Sequence, residues 1–218
     1  ASSGELKAMV ADEAARTTFA KNIKTVLEKN KLDGIDLDFE WAENEKEYKD
    51  YSLAILKMRE VLGDKYLFSV SLHPVCYKIS KEAIEAVDFI SLQCYGPSPV
   101  RFPIEKYCSD IQMVLEYGIP KEKLVAGVPF YGVTKDNSKK TEAYFNFVQN
   151  GLVTSPAQNE VIYQGDTYVF DGQDNIRIKT RYAKEQKLKG MMSWDLATDL
   201  PLSDSRSLLK TMTEELRE

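Results

Sequence analysis

One histidine, His73, and three cysteines are all that this chain of 218 residues offers for imidazole or thiol chemistry. Cys76, Cys94 and Cys108 are odd in number, widely spaced and free of any CxxC pair. A disulfide framework or a zinc site is therefore not expected, and buried free thiols are. No serine or cysteine motif accompanies His73, so a nucleophile–histidine triad has nothing to draw on. There is no G-x-G-x-x-G, no Walker loop and no HExxH, which leaves neither a cofactor nor a metal in prospect. Long apolar runs are missing too. The longest uncharged ones, such as Leu67–Leu72 and Leu124–Phe130, fall far short of the roughly 20 residues of a membrane helix. Net charge is −5 with acids and bases interspersed, so the basic face that a nucleic-acid partner needs is absent.

What is present is the composition of an ordinary globular domain, 43% hydrophobic and 29% charged. Apolar residues at Leu6, Met9, Val10, Phe19, Ile23, Val26 and Leu27 have helical spacing, which predicts helix from Glu5 to about Asn30. Five short runs rich in branched or aromatic residues then predict strands: Ile35–Phe39, Tyr66–Leu72, Val87–Cys94, Leu124–Phe130 and Met191–Trp194. Helical patterns lie between them, over Tyr48–Leu62, over Lys81–Ala86 behind a Ser80 cap, and over Tyr107–Leu115 before Gly118 and Pro120. The longer connection from Phe130 to Met191 predicts a hairpin, Val161–Tyr163 with Tyr168–Phe170, around Gly165–Asp166, then a helix near Ile176–Leu188. Ser203–Leu216 reads as a closing helix, and no linker or repeat divides residues 1–218, so one domain is expected.

Alternating strands and helices with nearly continuous apolar strands point to an α/β fold with a covered parallel sheet, either doubly wound or a (β/α)8 TIM barrel. No glycine-rich first turn supports the doubly wound form. Five strands cannot close a barrel of eight. The opening Ala1-Ser2-Ser3-Gly4, without initiating methionine or signal peptide, fits a chain that begins inside a domain.

The segment Asp33–Trp41, DGIDLDFEW, carries the chemistry. On a strand, Asp36, Asp38 and Glu40 share one face while Ile35, Leu37 and Phe39 share the other. The apolar face suits packing under helices, which turns three acids toward an axis where unpaired charge is costly to bury. Neighbouring carboxylates repel, so one of them is expected to hold a proton near neutrality and act as a general acid. Glu40, nearest the C-terminal end where barrel sites lie, is the natural donor. A solvated acidic sheet edge or a calcium site is the alternative, although calcium favours oxygen ligands on a flexible loop.

DGIDLDFE resembles the DxxDxDxE signature on the fourth strand of family 18 glycoside hydrolases, the chitinases and endo-β-N-acetylglucosaminidases, with every fixed position matched. SVSLHP resembles that family's fifth strand, ISLQCYG its sixth, LVAGVPFYG its seventh and GMMSWDLATD its eighth. The resemblance implies the C-terminal part of a TIM barrel, starting after the third strand. It also implies retaining hydrolysis of β-1,4 linkages beside N-acetylglucosamine, with the substrate's own acetamido group as nucleophile. In that scheme Glu40 is acid and then base, Asp38 orients the acetamido group and Asp36 supports Asp38. Tyr95 hydrogen-bonds the acetamido oxygen, Trp194 floors the reacting sugar, and Gln93 and Tyr131 line the subsite. Gln93 and Tyr95 share a strand face with Ser91, which independently places both toward the axis, although a core tyrosine is common.

The resemblance further implies an N-acetylglucosamine-containing oligo- or polysaccharide as partner, no cofactor, and secretion. Trp41 is expected to pack away from the site, and His73 to pack or to line its edge. Two departures bear on substrate: the sixth strand reads Gln93-Cys94-Tyr95-Gly96 rather than M-x-Y-D, and Val133 stands where many members have arginine. Thr134–Gln158 is too short for the α+β insertion of processive chitinases, which implies a shallower groove. Cleavage of N-glycans or peptidoglycan, or glycan binding by an inactive lectin of the same fold, are the alternatives.

Overall fold

The computed structural model describes residues 3–217. Along the chain these form α1 (Ser3–Ala11), α2 (Glu13–Asn30), β1 (Gly34–Asp38), α3 (Glu45–Leu62), β2 (Leu67–Leu72), α4 (Lys81–Ala86), β3 (Phe89–Leu92) and α5 (Ile104–Tyr117). There follow β4 (Leu124–Pro129), β5 (Tyr131–Thr134), β6 (Thr141–Ala143), α6 (Tyr144–Gln149), β7 (Glu160–Tyr163), β8 (Asp166–Val169), α7 (Gln173–Glu185), β9 (Gly190–Trp194) and α8 (Leu208–Arg217). All five expected core strands form, each within one residue of the predicted bounds except β3, which is two residues shorter at each end. Two compact units can be distinguished, Ala1–Leu92 with Val114–Leu124, and Gln93–Met113 with Val125–Glu218.

In the first unit β1, β2 and β3 are parallel neighbours, with Asp36 opposite Ser69 and Asp38 opposite Ser71. Gly34 opens β1 where it must. A Cβ there would lie 2.2 Å from the Leu67 carbonyl oxygen, so only glycine lets the two strands approach. The apolar side of the sheet, Leu37, Phe68, Val70, Leu72, Ile90 and Leu92, is buried together with Tyr51, Ile55 and Met58 of α3. Each such side chain contributes about 1.5–3 kcal/mol by leaving water.

The single helix expected over Glu5–Asn30 is two. Asp12 is extended, at φ −106° and ψ 129°, and its carboxylate accepts the Ala15 N–H, which caps α2 and ends α1. An aspartate that bonds its neighbouring backbone offers the chain an alternative to continued helix. Asn44 and Ser80 cap α3 and α4 in the same way.

In the second unit β4 and β9 pair in parallel. The connection after β4 is more ordered than its sequence suggests. It forms an antiparallel sheet in the order β6-β5-β8-β7, closed by α6 and by an aromatic cluster of Phe147 with Tyr163, Tyr168 and Phe170. The predicted hairpin is present, but its two-residue turn is Gln164-Gly165, both at positive φ, and Asp166 already belongs to β8. Two successive positive φ values match the right-handed twist of the flanking strands. The closing helix starts at Leu208, later than expected, because Asp199 accepts the N–H groups of Leu208 and Leu209 and the Ser207 hydroxyl. In neither unit do the described strands close into a barrel.

Candidate active site

The carboxylates lie as the alternation predicts. Leu37 and Phe39 are buried, while Asp36, Asp38 and Glu40 are exposed on the opposite side. The apolar side is pinned from below, with the Phe39 ring 4.8 Å from Tyr51 and the Tyr51 hydroxyl donating to the Leu37 carbonyl at 3.0 Å. The strand proper ends at Asp38, so Glu40 stands just beyond it, at the C-terminal end of β1.

Asp36 is held on both carboxylate oxygens. Ser69 donates to one of its oxygens at 2.6 Å and Ser71 to the other at 2.7 Å. Hydroxyls donated to a carboxylate make charge-assisted bonds of about 1.5–3 kcal/mol each. Neither serine was anticipated as a site residue. Their signal was the period-two S-V-S of β2, which sets both hydroxyls on the acid-bearing face once β1 and β2 pair in this register. Trp41, next to Glu40, is partly exposed and packs on His73, with ring centroids 5.2 Å apart. His73 is buried, and its Nδ1 accepts the Val75 N–H.

The aromatic candidates belong to the second unit. β3 ends at Leu92, and Gln93 and Tyr95 follow it, both buried. The Tyr95 hydroxyl lies 3.6 Å from the Met192 sulfur, and its ring meets Tyr131 edge-on at 6.4 Å. Burial, and after it the negative charge of Asp171, pushes the Tyr131 phenol well above the ordinary tyrosine range, so it stays a neutral donor at every physiological pH. Trp194 ends β9 with 57% of its surface exposed. A cleft of about 350 Å³ opens there, lined by Tyr131, Trp194, Pro97, Glu142, Asp195 and Thr198. An exposed indole in a polar-rimmed cleft suits the apolar face of a sugar ring, with carboxylates and hydroxyls at hand for its edges.

Asp195 holds the end of β9 in place by capping the turn Leu196–Thr198, in which its carboxylate accepts the Thr198 N–H. Structure thus brings Asp36, Asp38 and Glu40 together with Ser69 and Ser71 in the first unit, and Tyr95, Tyr131 and Trp194 in the second. Glu142, Asp195 and Thr198 in the cleft were not foreseen, since nothing in their local sequence distinguishes them from other surface polar residues. A larger groove of about 470 Å³, beside Tyr48, Leu53, Leu56 and Tyr117, contains none of these residues.

The chain is 23% identical over 261 residues to a protein of Drosophila melanogaster named "Probable chitinase 2", a match covering 90% of this chain and 54% of that protein. It thus spans about half the length of that relative. Among solved structures, a family 18 chitinase, ChiB, from the chitin utilization locus of Flavobacterium johnsoniae superposes with a TM-score of 0.80 at 27% identity, covering 98% of this chain and 69% of that one. The chitinase-like agglutinin RobpsCRA of Robinia pseudoacacia superposes at 0.82 with 18% identity, covering 98% and 76% respectively. Residues 1–199 match the profile of the glycosyl hydrolases of family 18, and the chain belongs to that family.

Proposed function

We propose that this chain is the catalytic C-terminal part of a chitinase-type hydrolase, residues 1–218 supplying strands four to eight of a (β/α)8 barrel. It cleaves β-1,4 linkages next to N-acetylglucosamine with retention of configuration. The observation that carries this reading is the face of β1. Asp36 and Asp38 alternate on it above a buried apolar side, Glu40 continues the row just past its end, and Asp36 is held by two serine hydroxyls.

In the proposed mechanism Glu40 protonates the glycosidic oxygen, and the leaving sugar departs with that proton as its bond to the anomeric carbon breaks. The carbonyl oxygen of the substrate's 2-acetamido group closes onto the anomeric carbon to form an oxazolinium ion. Asp38 accepts the acetamido N–H, orients the group for attack and balances the positive charge that develops. Asp36, fixed by Ser69 and Ser71, keeps Asp38 in place. Tyr95 donates to the acetamido oxygen, Trp194 stacks under the reacting sugar, and Tyr131 and Gln93 line the subsite. Water then attacks the anomeric carbon from the side the leaving group vacated, and the Glu40 carboxylate takes its proton. No cofactor or metal enters this scheme. An N-acetylglucosamine polymer outside the cell is the proposed substrate, and secretion follows from that.

The likeness to a plant agglutinin favours one second reading, a glycan-binding protein without catalysis. Glu40 favours the enzyme, since it supplies the proton donor that glycoside hydrolysis requires. Hydrolysis of chitin oligomers, a high-mannose glycan and peptidoglycan by the full-length gene product separates these readings and names the polymer. Glu40→Gln keeps shape and removes the proton, so it should slow oligomer hydrolysis on the order of a hundredfold to ten-thousandfold while oligomer binding persists. Hydrolysis at the wild-type rate would remove Glu40 from the mechanism.

A further inference from the structure

Beneath the aromatic cleft of the second unit lies a buried ion pair that the catalytic scheme does not use. Lys179 of α7 meets Asp171 at 2.5 Å, and neither side chain has any exposed surface. Asn175 donates to the other Asp171 oxygen at 3.2 Å. The Lys179 ammonium stands 5.9 Å from the centre of the Phe102 ring and 5.4 Å from that of Tyr107. Phe102 in turn meets Tyr131 edge-on at 6.5 Å, and Tyr131 meets Tyr95. The Tyr107 and Tyr95 hydroxyls lie against the adjacent sulfurs of Met191 and Met192, at 3.5 and 3.6 Å. A contiguous path therefore runs from the ion pair through Phe102 and Tyr131 to Tyr95.

Stability does not explain the pair. Removing two charges from water costs several kcal/mol per ion, and apolar groups of the same volume serve a core equally well or better. What a cation among aromatic faces supplies is direction: it attracts ring faces, and an aromatic ring so held has one orientation. We propose that Asp171 and Lys179 are positioning residues that hold Phe102 and Tyr131, and through them set where the Tyr95 hydroxyl points. Asp171 fixes the ammonium, and the ammonium fixes the rings. The functional consequence rests on the reading of Tyr95 as a substrate contact.

The test combines Asp171→Asn with Lys179→Met, which removes both charges at nearly constant volume and keeps an acceptor for Asn175. Methionine-methyl NMR of the full chain reports the ring positions directly, because the Met192 thioether touches Tyr95. The expected result is a cooperative melt like the wild type's, a displaced or broadened Met192 methyl signal, and about tenfold weaker binding of an N-acetylglucosamine tetramer. Lys179→Arg, which keeps the cation, should restore both readouts. Phe102→Leu leaves the ion pair intact and cuts the path, so it should move the Met192 signal even if the double variant does not fold. An unmoved Met192 signal in Phe102→Leu, or in a folded double variant, overturns the proposal. Failure of the wild type to bind the tetramer counts against the glycosidase reading alone, since the methyl signal still decides the positioning role.

Discussion

The acid-bearing strand of the first unit and the aromatic cleft of the second are built in opposite ways. Along β1 and just past its end the three carboxylates stand at alternate positions, 36, 38 and 40, so strand geometry alone sets them on one face, and Ser69 and Ser71 join them from β2. In the cleft, residues from Pro97, β5, β6 and the end of β9 meet although they are far apart in sequence. Exposure differs as well. Asp38 and Glu40 stand in solvent, whereas Tyr95 is 7% exposed and its surroundings are core. Substitutions on the acid face should therefore act on chemistry with little effect on folding, while those behind the cleft should mix the two.

Four variants put that contrast under strain. The largest effect is expected from Asp38→Asn, which should lower kcat on an acetamido substrate on the order of a hundredfold with Tm almost unchanged, since surface changes stay within about 0.5 kcal/mol. Steady-state kinetics and a melting curve measure this, and an equal loss on a substrate lacking the acetamido group would break the link to substrate assistance. Next comes Ser69→Ala with Ser71→Ala, both buried serines. Losing both bonds to Asp36 should cost about 3 kcal/mol in urea unfolding and slow hydrolysis as well, so here on the acid face chemistry and stability are joined.

Trp194→Ala should weaken oligomer binding by about tenfold in calorimetry and leave the melting curve alone, because more than half of the ring already faces water. A large drop in Tm would make Trp194 core rather than floor. The smallest effect belongs to Asp204, which belongs to neither group of site residues. Arg206 beside it, with a backbone N–H, holds its carboxyl down from 3.8 to about 2. A lowered carboxyl stabilises the fold above its ordinary value and loses that contribution as pH falls through the folded one. Asp204→Asn should therefore melt slightly earlier than wild type near neutral pH, with the gap closing between pH 3.8 and about 2.

Much of the fold was legible because parallel strands buried on one side and helices with one apolar face print their periods into the chain. Ser80 and the hairpin at Gly165 were readable for the same local reason. The break at Asp12 escaped notice because the apolar spacing runs straight through it, and only the cap geometry ends the helix. β5 and β6 escaped because each is only three or four residues long, too short to carry a periodic pattern of its own.

The sequence by itself determined the α/β alternation, the family and the order of acids along β1, because all of these are local: a side-chain period of two and a fixed spacing need no partner. Tertiary structure decided which serines hold Asp36, which polar residues share a cleft with Trp194, and that the Asp171–Lys179 pair lies among Phe102 and Tyr107. Those are matters of register and of distance between segments that meet only when the chain is folded, and no local pattern encodes them.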